Sequence, residues 1–423
     1  MINGTGPMHP ASALATTLFA LGLALAAGLA TAPAHASGEA LLLIEADTGK
    51  VLKAENATYP WYPASITKLM TAYVTLKAIK EGRITLDTPL TVSPNAVAQQ
   101  PTKMGFGTGT VVTVDNALKM LMVKSANDIA VVLAEGVAGS VDRFADEMNR
   151  ASARLGMMQS NWVNPNGLPA ENQITSARDM AILARAILIE FPEYDGYWGI
   201  HAIRLGKRVL RNTNSLLVRY PGADGMKTGY ICASGFNVVA TATRGNRQLI
   251  AVVLGAPSSA VRAAKAAYMF EAAFNSNGLT WLMPSLGTVY GLQPINAAPP
   301  DLREAMCGKH RRRPAAEAAD DDEEATGSDE QGLAALFSGA KAYGPKPSSL
   351  VAETLPANPP IDVFIGAKRP PPRAVAVVKP GEAGAAAKRR KPPAAGAGMP
   401  TPRPRPVASK PRRAVTAAKP QAQ

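Results

Sequence analysis

A serine and a lysine three residues apart could supply a nucleophile and its base. Ser65 and Lys68 follow Pro63, at the start of a segment (residues 66–79) whose apolar spacing predicts an amphipathic helix. Residues three apart on a helix share one face. A serine hydroxyl needs a neighbouring base, and a lysine can be one when burial or nearby positive charge lowers its pKa. Taken alone, this common spacing favours a plain helix start with a solvated lysine.

Two later motifs change that interpretation. Ser125-Ala126-Asn127 lies between two helical segments, and a Lys-Thr-Gly motif begins at Lys227 and leads into apolar strands. Each motif alone is weak evidence, because such residues are common at caps, turns and strand ends. In this order they suit acyl transfer. Ser65 would attack a carbonyl carbon, Lys68 would take its proton, Ser125 would relay a proton to the departing amine, and Asn127 would hold the substrate amide and Lys68.

The Lys-Thr-Gly motif would bind the substrate. Lys227 would keep positive charge in the cleft, which attracts a carboxylate and favours the neutral amine of a second lysine. Thr228 would hydrogen-bond the carboxylate, and Gly229, without a side chain, would let the substrate lie against the strand edge. The oxyanion would sit between the backbone N–H groups of Ser65 and Tyr230.

Composition restricts the other possibilities. The 423 residues carry a net charge of +13, but 14 Lys/Arg and a single acid follow residue 365, and the rest is balanced. Two cysteines, Cys232 and Cys307, are too few for a disulfide scaffold or a cysteine zinc site. Among four histidines only His201 lies in the main domain, so a histidine-rich metal site is excluded and no metal or other cofactor is expected. Nucleic acid is not an expected partner.

The chain divides into three parts. Residues 1–36 read as a signal peptide, with an apolar run at 13–32 and a cleavage pattern at Ala34-His35-Ala36, which predicts export to the periplasm or cell envelope. A retained membrane anchor is the alternative. Residues 37–285 form the predicted catalytic domain. Residues 286–423 are predicted to be a linker and a largely disordered tail, basic from about 366, which is either a tether to an anionic membrane or wall surface or a plain spacer.

Periodicity places the motifs in the catalytic domain. Hairpins are predicted near both ends, over residues 40–54 and 236–255, with helices at 114–123, 129–137, 144–155 and 176–189 between them and a last helix at 261–275. This order indicates a sheet closed by terminal hairpins, with a helical insertion.

The chain resembles the low-molecular-mass penicillin-binding proteins that act as D-alanyl-D-alanine carboxypeptidases. The resemblance runs from about residue 40 to residue 274 and rests on the three motifs and on further segments that match: Tyr62–Thr71, Met148-Asn149, Leu155–Met157, Asn164–Leu168, Ala177–Met180, Asn212–Asn214 and Asp224–Tyr230. It implies an α/β fold of the α+β type, like that of serine β-lactamases and DD-peptidases: an antiparallel sheet flanked by terminal helices, with an all-helical subdomain.

The resemblance also implies an activity. A serine-type peptidase would remove the terminal D-alanine from peptidoglycan stem peptides through a Ser65 acyl-enzyme, and β-lactams would acylate it. Such enzymes have an arginine about 35 residues after the motif lysine that helps bind the terminal carboxylate, and Arg262 occupies that position. A surface arginine is the alternative.

Three features depart from the family pattern. Ile231 and Cys232 stand where polar residues are usual; for Cys232 we favour an inert buried thiol over a pair with Cys307 or a reactive thiol, because Cys307 lies past the predicted domain end. The usual small β-rich second domain and the C-terminal amphipathic membrane helix are not evident. Membrane attachment would then depend on the basic tail or an uncleaved leader.

Competing functions remain at this level. A β-lactamase needs a deacylating glutamate, and residues 161–169 contain no acid, although Glu171 is close. DD-transpeptidase or DD-endopeptidase activity would use the same motifs. A non-catalytic peptidoglycan-binding protein could keep the cleft as a docking groove, but the intact motifs argue against it.

Overall fold

The computed structural model describes residues 38–276, 286–309 and 347–368, together with residues 1 and 4. Apart from residues 1 and 4, the predicted signal peptide lies outside the described residues, as does the basic tail beyond residue 368. None of the helices in the described part of the chain has both the length and the apolar character that a bilayer crossing requires.

Strands lie near both ends of the catalytic domain's sequence and most of the helices lie between them, as the predicted hairpins imply. The strands are β1 (Ala40–Glu45), β2 (Val51–Glu55), β3 (Pro89–Thr91), β4 (Val111–Thr113), β5 (Ala202–Leu205), β6 (Arg208–Arg211), β7 (Ala223–Ile231), β8 (Gly235–Arg244), β9 (Arg247–Ala256) and β10 (Ile361–Val363). The helices are α1 (Lys68–Lys80), α2 (Pro94–Ala98), α3 (Val114–Val123), α4 (Asn127–Ala138), α5 (Val141–Leu155), α6 (Ala177–Glu190), α7 (Ser259–Phe274) and α8 (Arg303–Cys307). Turns of 3₁₀ helix lie at Ala64–Thr67, Pro192–Tyr197, Ser215–Val218, Val289–Gly291 and Pro347–Val351.

A five-stranded antiparallel sheet in the order β2-β1-β9-β8-β7 forms the scaffold. Helices cover both faces of the sheet. Successive side chains of a strand point to opposite faces, so each strand contributes to both cores. In β1, Leu42 and Ile44 pack into the core shared with helices α1 to α6, whereas Leu41 and Leu43 pack into the core shared with α7. Strand β7, which carries the Lys-Thr-Gly motif, is left at one edge of the sheet.

Helix α1 differs from its prediction. We expected an amphipathic helix after Ser65. In the structure ten of the thirteen residues of α1 are buried, and they lie on all sides of the helix between Lys68 and Ala78. A helix that is apolar on all sides is a central helix of the core. The prediction failed because alternating alanine, threonine and larger apolar residues produce an apparent stripe, while small residues on the other side also pack against neighbours.

The predicted domain end at residue 285 is too early. Residues 299–308, which we call the clamp, return to the end of β7: the Leu302 N–H donates to the Ala233 carbonyl at 3.1 Å, and Cys307 forms a disulfide with Cys232. The inert buried thiol that we favoured for Cys232 is therefore wrong. The reasoning failed because it placed Cys307 outside the domain on composition alone.

A second segment, residues 347–368, which we call the strap, also packs on the domain. Its strand β10 pairs in parallel with β5 in a three-stranded sheet of order β10-β5-β6. The Asn358 N–H donates to His201 Nδ1 at 2.8 Å, and the side chains of Val351 and Val363 are buried. The part of the predicted tail that contains this segment is thus ordered, because it supplies strand pairing and buried valines that a polar linker lacks.

Truncation tests the role of the strap. A chain that ends at residue 309 loses two buried valines, on the order of 3 kcal/mol, so we expect its melting temperature to fall by roughly 5–10 °C. A chain that ends at residue 368 keeps the strap and is the control; its melting temperature should match that of the full chain. Differential scanning calorimetry measures both. Equal melting of the two truncated chains would contradict the assignment of the strap to the domain.

Candidate active site

Ser65 and Lys68 meet at the junction between a 3₁₀ turn and helix α1. Ser65 lies in the turn Ala64–Thr67, and Lys68 begins the helix, so the lysine side chain points back past the serine. Lys68 Nζ donates to Ser65 Oγ at 3.0 Å, within the distance for proton transfer. The lysine is 0% exposed. The solvated lysine of the simplest sequence interpretation is therefore wrong.

Two further neutral oxygens surround the Lys68 amine. Asn127 Oδ1 accepts from Nζ at 2.8 Å, and the Asn166 carbonyl accepts at 2.6 Å. Buried ammonium groups are costly unless a counter-ion compensates them, and amide oxygens compensate only in part. These contacts fix the direction of the amine toward Ser65 without a carboxylate among the three oxygens, which suits a lysine that accepts a proton.

The loop around Asn166 is built to carry its carbonyl to Lys68. The Thr71 hydroxyl donates to the Pro165 carbonyl at 2.6 Å, one residue away. Gly167 has φ +81°, and a Cβ there would lie 1.8 Å from the Ala64 carbonyl oxygen. Only glycine can occupy that position, because the loop passes directly over the turn that holds the serine.

Ser125 and Asn127 lie at the start of helix α4, Ser125 two residues before it and Asn127 as its first residue. The Ser125 backbone has φ +58°, a left-handed conformation that is uncommon outside glycine. The Thr102 hydroxyl lies 3.2 Å from the Lys124 carbonyl and 3.0 Å from the Ser125 carbonyl, and so holds this conformation. The buried Ser125 Oγ has no hydrogen-bond partner within the described structure. An unpaired buried hydroxyl costs about 1–3 kcal/mol, which a functional role would explain.

Strand β7 closes the third side of the site. Lys227 is buried and donates from Nζ to the Thr228 carbonyl at 3.0 Å, and the Thr228 and Thr213 hydroxyls lie 2.8 Å apart. A Cβ on Gly229 would lie 2.7 Å from Ser65 N. The strand therefore passes directly beside the serine's backbone N–H, and the glycine is needed for that approach. The predicted contact of this glycine with substrate stays a prediction, and its nearest neighbour in the structure is the serine turn.

Arg262 lies on α7, which packs against β8 and β9; β8 is the strand next to β7. It is 2% exposed, its Nη1 donates to the Asn237 carbonyl at 3.3 Å, and its guanidinium lies 5.8 Å from the centre of the Phe236 ring. Asn237 is the strand partner of Gly229. The surface arginine that was the alternative is wrong, and the carboxylate-binding role of Arg262 stays a prediction.

Several residues escaped the sequence argument. Asn237 donates from Nδ2 to the carbonyls of Tyr62 and Pro63 at 3.1 and 3.2 Å, so it fastens the serine turn to the sheet. The Asn166 carbonyl and the Thr102 hydroxyl also had no predicted role. The Asn-Pro-Asn-Gly turn at residues 164–167 was a usable signal for the first of these, because it predicts a tight turn at that position. No pattern marked the other two.

Comparison with known proteins identifies the family. A model of the D-alanyl-D-alanine carboxypeptidase family, peptidase family S11, matches residues 27–258, which is more than half of the chain. The chain therefore belongs to this family of serine-type peptidases, as its resemblance predicted.

Individual relatives are consistent with this assignment. D-alanyl-D-alanine carboxypeptidase DacF of Bacillus subtilis is 35% identical over 247 residues, which are 57% of this chain and 63% of that protein. DacD of Escherichia coli K12 is 37% identical over 225 residues, 52% of this chain and 58% of that protein. The chain thus spans less than two thirds of the length of these relatives.

Solved structures confirm the fold class. Penicillin binding protein 6B from Escherichia coli superposes with a TM-score of 0.54 at 35% identity, over 56% of this chain and 77% of that chain. Penicillin binding protein 5 from Haemophilus influenzae gives a TM-score of 0.54 at 33% identity, over 58% and 72%. The mixed α/β architecture with an antiparallel sheet is confirmed.

Gly229→Ala tests the close contact between β7 and the serine turn. The added methyl must push the strand away from Ser65 N, and displacements of about 1 Å at a reacting group cost about 100-fold in rate. We expect covalent labelling of Ser65 by a fluorescent penicillin to slow by about 100-fold. The labelling rate is measured from a quenched time course that is read by gel fluorescence. Gly196→Ala is the matched control, because a Cβ at Gly196 has no atom within 4 Å. Normal labelling of the Gly229 variant would contradict the geometry.

Proposed function

We propose that the protein is an exported serine-type D-Ala-D-Ala carboxypeptidase that removes the terminal D-alanine from peptidoglycan stem peptides. The observation that carries the proposal is the position of the buried Lys68 amine between Ser65 Oγ and Asn127 Oδ1, at 3.0 and 2.8 Å. A nucleophile in contact with a buried amine is the arrangement that acyl transfer requires. Membership of the carboxypeptidase family supports the choice of substrate.

In the acylation step Ser65 Oγ attacks the carbonyl carbon of the penultimate D-alanine. Lys68 Nζ takes the hydroxyl proton, and the backbone N–H groups of Ser65 and Tyr230 stabilise the oxyanion. The C–N bond then breaks. The departing amine receives a proton through the Ser125 hydroxyl, which is buried and unpartnered before substrate arrives. D-alanine leaves, and the rest of the peptide remains as an ester on Ser65.

In the deacylation step water attacks the ester carbonyl. Lys68 takes a proton from the water, the same N–H groups hold the second oxyanion, and the proton returns to Ser65 Oγ as the ester bond breaks.

Substrate binding uses the other site residues. Lys227 and Thr228 hold the terminal carboxylate during acylation, and Arg262 on α7 adds positive charge. Asn127 and Gly229 set the position of the peptide between the loop and strand β7.

β-Lactams would acylate the same serine, because their strained amide presents a carbonyl to the nucleophile in place of the peptide bond. The relatives of known structure include proteins named penicillin binding proteins, which supports this part of the proposal. We also propose, from the leader sequence and the charge of the tail, that the mature protein works in the cell envelope and that the tail binds an anionic membrane or wall surface.

A transpeptidase or endopeptidase would use the same residues with a different acceptor or substrate. A docking groove without catalysis is less compatible with the site, because a binding protein gains nothing from a strained, buried serine hydroxyl that lacks a partner. The acid-free loop at residues 161–169, which meets Lys68 through a backbone carbonyl, likewise disfavours a β-lactamase.

D-alanine release tests the proposed activity. The full chain and its Ser65→Ala variant are incubated with a synthetic peptide that ends in D-Ala-D-Ala, and free D-alanine is measured with a coupled oxidase. We expect release by the unaltered protein and a loss of at least about 1,000-fold in the variant. Penicillin labelling without D-alanine release would indicate a transpeptidase or endopeptidase. Neither labelling nor release would indicate a binding protein.

A further inference from the structure

The end of strand β7 carries the Tyr230 N–H, which is proposed as the second oxyanion donor. Tyr230 is the last residue but one of β7, and residues 232–234 form the turn into β8. Strand β7 lies at the edge of its sheet, where β8 is its only strand partner among the described residues. Strand ends with few partners open at a lower local free energy than the middle of a sheet. The position of this donor therefore depends on support from outside the sheet.

The clamp supplies a covalent support. Cys232, two residues after Tyr230, forms a disulfide with Cys307, which lies 75 residues later in the chain. The Leu302 N–H donates to the Ala233 carbonyl at 3.1 Å, in the same turn. A disulfide allows only a narrow range of separations between its two Cα atoms, so it restricts how far the turn can move from the clamp.

The Tyr230 side chain contacts the disulfide itself. Its hydroxyl oxygen lies 3.1 Å from Cys307 Sγ and 3.9 Å from Cys232 Sγ. Because disulfide sulfurs carry no hydrogen, the phenol is the donor. The ring also stacks on Phe236, with 4.2 Å between the ring centres. Tyr230 is therefore held at its ring by the neighbouring strand and at its hydroxyl by the disulfide.

The backbone of Tyr230 lies where small displacements affect the rate. Its N–H belongs to the peptide unit that follows Gly229, and a Cβ on Gly229 would lie 2.7 Å from Ser65 N. An oxyanion donor acts over about 2.7–3.1 Å, and the loss of one donor lowers the rate by roughly 100- to 1,000-fold. A restraint two residues from this donor can therefore control the rate of acylation.

We propose that Cys232 and Cys307 are positioning residues for acylation. Their disulfide holds the Tyr230 N–H at the oxyanion, so the rate of acylation depends reversibly on the redox state of the pair. This inference rests on the proposed function for the role of the Tyr230 N–H. It assigns to neither sulfur a contact with the reacting atoms.

The redox step requires a dithiol reductant such as dithiothreitol. One thiolate of the reductant attacks one sulfur of the protein disulfide and forms a mixed disulfide. The second thiol of the reductant then attacks the mixed disulfide. Cys232 and Cys307 are left as thiols with two electrons and two protons gained, and the reductant leaves as its cyclic disulfide. Oxidised dithiothreitol carries out the reverse exchange.

Rates of penicillin attachment to Ser65 test the proposal in the full chain. Three forms are compared: the oxidised protein, the protein reduced with dithiothreitol and freed of the excess, and the Cys232→Ser/Cys307→Ser double variant. Varying the penicillin concentration separates the limiting rate from the half-saturating concentration. We expect a limiting rate roughly 10- to 100-fold lower in the last two forms, with the half-saturating concentration unchanged, because an oxyanion donor acts mainly in the transition state. Reoxidation of the reduced protein should restore the rate.

Val363→Ala is the matched control, because it removes buried packing in the strap and leaves the disulfide intact. Circular dichroism at the assay temperature establishes that each form is folded, and the control should keep the parent's limiting rate. An equal limiting rate in the oxidised protein and the folded double variant would overturn the positioning role. So would an equal fall in the Val363 variant, a change confined to the half-saturating concentration, or a rate that reoxidation does not restore.

Hydrogen exchange of residues 229–235, read by mass spectrometry, tests the restraint without any need for acylation. We expect faster exchange in this segment after reduction, and unchanged exchange in strands β1 and β2 at the other edge of the sheet. Absence of penicillin labelling in the oxidised protein would contradict the proposed function, while faster exchange confined to this segment would still support the restraint. Equal exchange in the oxidised and reduced proteins would overturn the inference whether or not labelling occurs.

Discussion

The site depends on a lysine that the fold buries completely and then directs with three neutral oxygens. Lys68 is placed by its own helix, but its amine is oriented from outside that helix, by Asn127 on α4 and by the Asn166 carbonyl on a loop nearly one hundred residues later. Burial of an amine is unfavourable unless it is hydrogen-bonded, so these partners must be in position whenever the domain is folded. Helix α4 and the loop around Asn166 together keep these partners in position around the Lys68 amine.

Strand β7 has a different requirement, which is proximity. Its backbone passes close to the serine turn, as the proposed oxyanion site between the N–H groups of Ser65 and Tyr230 requires, and Gly229 makes the approach possible. Asn237 on the neighbouring strand binds the two carbonyls before the turn, so the turn and the sheet are connected by hydrogen bonds as well as by packing. The clamp then fastens the far end of β7 through the Cys232–Cys307 disulfide. Strand β7 is thus held beside the serine turn along its length and fastened at its far end.

The sequence was informative where chemistry and periodicity act locally. The hairpins near both ends of the catalytic domain's sequence and the helices α3 to α7 follow from apolar spacing, and the contact between Ser65 and Lys68 follows from helical geometry. Long-range contacts could not be predicted in this way. The clamp and the strap have the composition of linkers, and their structure comes from distant partners, among them Cys232 and Ala233 for the clamp and β5 for the strap. Similarly, the burial of Arg262 and the role of Asn237 depend on tertiary packing, which no local pattern encodes.

The most direct test of Lys68 as the base is the rate at which benzylpenicillin attaches to Ser65 when Lys68 is replaced by methionine. Methionine has a side chain of similar length that fills the same buried space. Peptide mass spectrometry locates the adduct and gives its time course in the two proteins. We expect attachment at Ser65 in the unaltered protein and a rate at least about 100-fold lower in the Lys68→Met variant, the lower end of the range for a general base. Attachment at an unchanged rate in a folded variant would contradict the assignment of Lys68 as the base.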